Sequence, residues 1–349
     1  MMRLGIIINP RARRASQPGL AAELETICRH TKDLQFRCFL THSQAELDHA
    51  MQQLAAFGID VLAPCGGDGT LTATLSTAYR VFGQQLPSWL PLAGGTINTI
   101  ARNLAAAEAP AKRLRRVLHS YSHHGELMHR PQATIMVRSD GELPLDFQTL
   151  RPRDDVQPVQ GERLGFLCSA AMGARFLAAY SATPHRGLLS ASLLGLRTIG
   201  SSLIPGGGPF ARWLFAPTPT ELVVDGREQP APTYRLLIAS TVADVGLGMK
   251  VPWLAGSVTD RFHLIASSLP LLQNVLQVPR MLRGEPMLGT PHLDALARSV
   301  TIQFAESGPV VLDGEMFCAK RLDLAIGPTL RVLSPVVAPQ GLEPRTLRV

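Results

Sequence analysis

The feature that most restricts the fold of this chain is an alternation, within its first hundred residues, between short apolar runs and longer stretches with helical spacing. Residues 4–8 are a β-branched run ended by Asn9-Pro10, and residues 19–30 follow with helical spacing. Residues 35–40 have strand character, 44–57 the pattern of an amphipathic helix, and 59–63 strand character again. Strands separated by helices of this length require crossover connections, so the pattern predicts a parallel sheet covered on both faces. Ligands of such sheets sit at the carboxyl ends of the strands.

Beyond about residue 131 the texture changes. Short strand-like runs at 133–137, 221–224, 234–239 and 310–312 are interspersed with Asp140-Gly141, Asp225-Gly226 and Asp313-Gly314, pairs that favour tight hairpins. This half is expected to be antiparallel β. A chain of 349 residues exceeds the roughly 100–200 of one domain, so two are expected: an α/β domain over 1–130 and a β-rich domain over 131–324. Segments 204–210 and 216–220 are loop-like, and 146–161 is expected to be a mobile connection.

Composition removes several classes. With 46% hydrophobic and 17% charged residues the chain can bury a substantial core, which excludes a disordered or low-complexity protein. Five cysteines without CxxC spacing argue for free thiols in a reducing compartment. The apolar run at the N-terminus is too short for a signal peptide, and 188–204, interrupted by Arg197 and rich in Ser and Gly, makes a poor membrane span. A cytoplasmic protein is the expectation, with 188–204 a buried or interfacial helix. The net charge of +7 favours an anionic partner: nucleic acid, a phospholipid surface or a polyphosphate.

Two glycine segments carry the chemistry. Gly66-Gly67-Asp68-Gly69-Thr70 lies between the strand at 59–63 and helical residues 71–81. Glycines admit a polyphosphate to the backbone, a helix N-terminus supplies unpaired N–H groups, and one carboxylate can reach a metal or a hydroxyl. Pro91-Leu92-Ala93-Gly94-Gly95-Thr96-Ile97-Asn98 repeats the theme before a helix at 99–104. Each could be a capped turn; together they would meet at one sheet edge and form a nucleotide cleft. Arg11, Arg13 and Arg14, after the first strand, are placed to stabilise phosphate. Asp313-Gly314-Glu315, by spacing alone, is a turn. No GxxxxGK[ST] occurs and no GxGxxG opens a helix after a strand, which weighs against P-loop and dinucleotide-dehydrogenase readings. His119, His123, His124 and His129 lack the carboxylates or cysteines of a metal site, and Lys112, Arg113, Arg115 and Arg116 are expected on a solvated helix face.

The order of these motifs, NP near the start, Thr41 after the second strand, GGDGT, GGTxN with AR, and a late DGE, resembles the diacylglycerol kinase catalytic family, which includes bacterial lipid kinases and sphingosine and ceramide kinases. The resemblance implies an N-terminal parallel α/β domain, a C-terminal antiparallel β-sandwich for the lipid, and a chain end, about 325–349, returning to the first domain. It implies ATP contacts from Asn9, Arg11, Thr41, Gly66, Gly67, Asp68, Gly69, Thr70, Leu71, Thr72, Thr96 and Asn98, with Asp68 holding magnesium-nucleotide. Asp313 and Glu315 would form the acid/base pair beside the acceptor hydroxyl. A separate Mg²⁺ site would involve Asp260 with the carbonyls of Ser257 and Phe262. Departures from the family are Ala73 for Glu, Thr99 for Asp and Arg261 for Gly.

The expected activity is therefore transfer of the γ-phosphate of ATP to a hydroxyl of diacylglycerol or of a sphingoid or ceramide-type lipid, at the inner surface of a membrane. Either Asp313 or Glu315 could accept the proton. The basic surface and the apolar segments 188–204 and 262–282 would dock the protein on an anionic bilayer, unless they are plain core helices. A soluble NAD kinase-like enzyme and a lipid-binding regulator with a decayed ATP site are the alternatives. No nucleic-acid module is present and only 5% of residues are aromatic, so nucleic acid is not an expected partner. No specific protein partner is expected, and a homodimer is left open.

Overall fold

The computed structural model describes residues 1–125, 127–142, 145–146, 151–152, 159–183, 188–246 and 248–334. The first sheet is built from β1 (Met2–Ile8), β2 (Leu34–Leu40), β3 (Val61–Gly66), β4 (Ser88–Trp89) and β5 (Leu92–Ala93). Strands β1, β2 and β3 are parallel in the order β2-β1-β3, with β4 and β5 both parallel to β3. The crossovers are α1 (Leu20–Arg29), α2 (Gln44–Phe57) and α3 (Asp68–Phe82), followed by α4 (Thr99–Asn103) and α5 (Pro110–His124). Local chemistry sets the boundaries. Ser43 caps α2 by accepting from Glu46 N–H, and Gly58 ends it in the left-handed region.

Alternation along β1 divides the core. Leu4, Ile6 and Ile8 pack with Leu24 of α1 and Leu114 of α5 on one face, while Ile7 packs with Leu54 of α2 and Leu75 of α3 on the other. Both faces are covered, as the near-continuous apolar run requires.

The edge of the sheet is antiparallel. Strand β6 (Met128–Gln132) pairs with β20 (Leu330–Ser334), which runs parallel to β4, so a late segment returns to the first sheet. Arg113 of α5 helps hold it. Its guanidinium is buried and donates to the carbonyls of Ala105 and Leu333, and burial lowers its pKa to about 10. The expected solvated face of α5 is thus corrected at this position, because carbonyls of two separate segments need a donor there. Arg115 and Arg116 do face outward, paired with Glu23 and Glu108. Residues 335–349 lie outside the described residues.

The second unit begins with β7 (Ile135–Glu142), passes a short ribbon of β8 (Leu145–Asp146) and β9 (Arg151–Pro152), and continues through β10 (Val159–Gly165) and β11 (Leu167–Ala171). Helices α6 (Met172–Ser181), α7 (Leu188–Ser202) and α8 (Pro209–Leu214) precede β12 (Thr218–Val224), β13 (Arg227–Glu228), β14 (Thr233–Tyr234), β15 (Leu236–Ser240) and β16 (Phe262–Ser267). Then follow α9 (Leu271–Leu276), α10 (Val278–Arg283), β17 (His292–Ala297), β18 (Ser299–Leu312) and β19 (Glu315–Ile326). The strands run antiparallel in the order β10-β7-β19-β18-β11-β15-β16-β17, with β12 branching from β18.

The antiparallel expectation holds, and hydrogen bonds join the strands into one sheet of 11 around a shared apolar core. The long β18 makes this possible: its first half pairs with β12 and its second with β11, across a break in register between Gln303 and Gly308. The Asp-Gly pairs also diverge. Asp225-Gly226 and Asp313-Gly314 adopt positive φ at both residues and turn hairpins, whereas Asp140-Gly141 runs inside β7. The expected mobile connection over 146–161 lies largely outside the described residues.

Candidate active site

Strand β3 ends at Gly66, and α3 starts two residues later, placing the helix N-terminus at the carboxyl edge of the parallel sheet. The second glycine segment leaves β5 beside it. Gly94 donates to the carbonyl of Gly66 at 2.7 Å, and a Cβ on Gly95 would stand 2.5 Å from Gly67 Cα. Backbone meets backbone there, which explains why glycines face each other from both segments. Gly95→Ala is expected to push the two loops apart at a cost of about 1–3 kcal/mol, read as a lowered Tm and loss of any nucleotide-induced Tm rise.

Side chains lock the loops. Asn9 donates from Nδ2 to Thr70 Oγ1 at 2.9 Å, tying the end of β1 to the first turn of α3. Asn98 adopts φ 54 and spans Gly95, accepting from its N–H and donating to its carbonyl. These contacts frame a polar cleft of about 420 Å³ lined by Asn9, Arg11, Ala12, Arg13, Gly67, Gly69, Thr70, Gly95, Thr96 and Glu315. Arg11 and Arg13 are exposed and supply positive charge. First-turn N–H groups of α3 have no acceptor within the helix, so an anion here meets donors and the positive end of the helix dipole.

Asp68 points away from that cleft. Its Oδ2 accepts from Thr99 N–H at 2.8 Å and its Oδ1 from Ile100 N–H at 2.9 Å, so the carboxylate caps α4 across 31 residues. Burial raises its pKa, opposed by these two backbone donors and by the nearby Arg102 charge.

Asp313 is more deeply placed. It sits at φ 49 in the turn between β18 and β19 with its carboxylate directed inward. Oδ2 accepts from Thr72 Oγ1 at 2.6 Å, and the two oxygens accept from Phe166 and Leu167 N–H at 2.8–3.1 Å. Burial pushes its pKa up to about 7 against those hydrogen bonds, with a further rise from the charge of Asp68. The Thr72 contact joins α3 to the β18–β19 turn: the glycine loop's helix and the late acidic turn are one cluster.

On the far side of that cluster lies an apolar cavity of about 350 Å³. Asp68, Asp313 and Gly314 lie at one end, and much of the wall comes from α6, α7, α9 and α10 and from β11 and β15, including Met172, Phe176, Ile199, Ile238, Val275 and Met281. Glu315, two residues after Asp313, faces the polar cleft instead. It lies 3.8 Å from Arg163 and against Gly69, where a Cβ would stand 2.7 Å from its Oε1. One tight turn therefore separates a cationic cleft from an apolar cavity, with a carboxylate on each side.

The residues singled out from sequence distribute accordingly. Asn9, Arg11, Gly67, Gly69, Thr70, Thr96 and Glu315 line the cleft, while Asp68 and Asp313 line the cavity. Gly66 lies under Thr70, Leu71 is in the core, Thr72 serves Asp313, Asn98 braces Gly95 and Thr41 is buried; none of these five lines either space. Arg163 and the walls from α6 went unread in the sequence. The spacing Met172, Phe176, Leu177 and Tyr180 is the helical signal that could have found α6.

Asp260, proposed with Ser257 and Phe262 for Mg²⁺, is exposed and already paired with Arg298 at 2.6 Å and Arg261 at 3.9 Å. Those guanidiniums lower its pKa and stand where a cation would have to approach, so the residues do not fit a metal ion. Among the described residues no group of three or more His, Cys, Asp or Glu gathers in a way that could hold one. His119 and His123 stack on each other. The cysteines are free, and burial pushes Cys28, Cys38, Cys65 and Cys318 up to about 12, which leaves them unsuited as nucleophiles.

Residues 3–129 match the family described as the diacylglycerol kinase catalytic domain. A diacylglycerol kinase structure from Bacillus anthracis str. Sterne superposes with a TM-score of 0.58 at 12% identity, covering 95% of this chain and 97% of that one. Two further solved structures from that organism each reach a TM-score of 0.63 at 14% identity with the same coverage. At such identities the likeness is one of fold. No curated protein sequence matches the chain.

Proposed function

We propose that the protein is an ATP-dependent lipid kinase, passing the terminal phosphate to a hydroxyl of a diacylglycerol or of a sphingoid or ceramide-type lipid. One observation carries this reading: the cationic glycine cleft and the apolar cavity abut at the Asp313-Gly314-Glu315 turn. The nucleotide enters as its magnesium complex, with its phosphates against the α3 N-terminus, Arg11 and Arg13. The lipid chain fills the cavity, which brings its hydroxyl to the carboxylate end.

The hydroxyl oxygen forms a bond to the γ-phosphorus as the bond from that phosphorus to the β,γ-bridging oxygen breaks, releasing ADP. The proton of the hydroxyl passes to Asp313, whose pKa of about 7 suits a base at neutral pH. Phosphoryl transfer gains mainly from positioning and charge stabilisation, and the rigid hydrogen-bonded cluster around Thr72, Asp68 and Asp313 supplies the positioning.

Incubation with γ-labelled ATP and a panel of hydroxyl lipids, resolved by thin-layer chromatography, tests the reading. Label in a lipid phosphate supports it, and label transferred to NAD alone refutes it. Arg11→Ala and Arg13→Ala should each raise KM for ATP by roughly three- to tenfold while leaving KM for lipid unchanged. Steady-state kinetics with each substrate varied in turn would check this.

A further inference from the structure

Helix α7 is apolar on both faces. Ala191, Gly195, Thr198 and Ile199 line the cavity, yet on the opposite side Leu189 is 83% exposed, Leu193 64% and Leu196 65%. A helix at the surface of a globular protein places polar residues there. The short α9, packed on α7, repeats the arrangement with Val275 toward the cavity and Leu272 and Leu276 exposed. The exposed leucines form a group on neighbouring helices, larger than the single apolar residues scattered over ordinary surfaces.

The charged residues of α7, α8, α9 and α10 are all arginines. Arg197 lies 4.3 Å over the Phe210 ring, and Trp213 of α8, partly exposed, is 5.8 Å from the same ring. Arg212, Arg280 and Arg283 complete the set. No acidic residue occurs between 188 and 216, and between 268 and 291 the sole one, Glu285, is already paired with Arg280 and Arg283. Arginines, an indole and exposed leucines on short helices are the composition of an in-plane membrane interface. Among the described residues no helix is long and apolar enough to cross a membrane, so these helices can seat on a bilayer but not span it. A second copy of the chain is a poorer occupant, because it would set arginine against arginine.

We propose that the outer face of α7, α8 and α9 is a docking surface for an anionic lipid bilayer, with the helices lying in its plane. Docking is independent of phosphoryl transfer and is measured without nucleotide. The test is co-flotation of the full chain with vesicles of phosphatidylcholine, alone or mixed with phosphatidylglycerol.

Binding should favour the mixed vesicles and weaken with salt. Leu193→Ser/Leu196→Ser should reduce it more than tenfold, and Arg197→Gln/Arg212→Gln should reduce the preference for the anionic vesicles by roughly fivefold per arginine. All four side chains lie outside the cavity and the cleft, so an unchanged Tm verifies that the variants fold. Leu272→Ser/Leu276→Ser on α9 provides an independent pair. Equal binding by wild type and variants, or no flotation accompanied by dimerisation that these substitutions abolish, would overturn the proposal. Docking without turnover would leave the surface standing and remove the kinase reading; turnover on detergent-dispersed lipid without docking would do the reverse.

Discussion

Asp313→Asn should abolish phosphate transfer, by roughly 10²–10⁴-fold, and at the same time make the protein more stable above neutral pH. Both effects come from one buried carboxylate. Asn is tolerated at positive φ and Asn-Gly favours the same hairpin turn, so the substitution suits the backbone at Asp313-Gly314. Its carbonyl can accept from Phe166 and Leu167 while its amide donates to Thr72 Oγ1, preserving the network.

The pH dependence follows from the raised pKa. In the unfolded chain Asp313 ionises near the ordinary value of 3.8, and in the folded protein at about 7. Its contribution to stability is fully present below about 4 and is lost as pH rises toward 7, because the folded state must then hold a buried charge. The variant escapes that cost, on the order of a few kcal/mol at most. The Tm gap between variant and wild type should therefore open between pH 4 and 7 and level off above. Wild-type kcat should rise with pH through an apparent pKa of about 7, the ionised carboxylate being the competent form. Thermal melts and pH–rate profiles measure the two arms. Full activity in the variant would remove Asp313 from the chemistry, and an unchanged Tm at pH 8 would contradict the buried charge.

Asp68→Ala is the second large effect, and its cause differs. The carboxylate accepts the N–H groups of Thr99 and Ile100, so removal orphans two donors at the start of α4 and costs about 1–2 kcal/mol. The second glycine loop, which leads into that helix, then loses its anchor. Misplacement of a loop by about 1 Å is enough for a 10²-fold loss, so activity should fall by at least roughly that factor, together with Tm.

Asp68→Asn distinguishes this positioning role from a metal-binding one. The amide carbonyl keeps one of the two N–H partners, so the Asn variant should lie between Ala and wild type in Tm. If Asp68 instead acts by holding the metal of the nucleotide, both variants should be equally inactive with Tm unchanged. Calorimetry beside kinetics separates the two outcomes.

What could be read from the sequence follows hydrophobic periodicity. The parallel order of β1, β2 and β3 was legible because buried strands and amphipathic helices alternate at lengths only crossovers satisfy. The glycine loops were legible because the need for close backbone approach leaves a compositional mark. Long-range partnerships leave none. Nothing around Arg113 announces that its guanidinium serves carbonyls 8 and 220 residues away, and basic residues on a helix ordinarily face water. The same holds for Asp68, whose neighbours suggest a phosphate loop while its partners lie on another helix. Asp140-Gly141 and Asp313-Gly314 are one dipeptide with two outcomes, since β7 runs on through the first, its pairing with β10 resuming at Glu142 across an irregularity in register. The cavity was invisible for a related reason: its walls come from helices and strands far apart in the chain that no local pattern brings together.

A structure with a non-hydrolysable ATP analogue and a long-chain lipid alcohol bound together tests most directly whether the two spaces are halves of one active site. The account predicts the terminal phosphate beside Gly69 and Glu315, the alkyl chain between α6, α7 and α9, and the hydroxyl at Asp313. Nucleotide bound away from the Arg11–Arg13 cleft, or a lipid hydroxyl facing away from the turn, would contradict it.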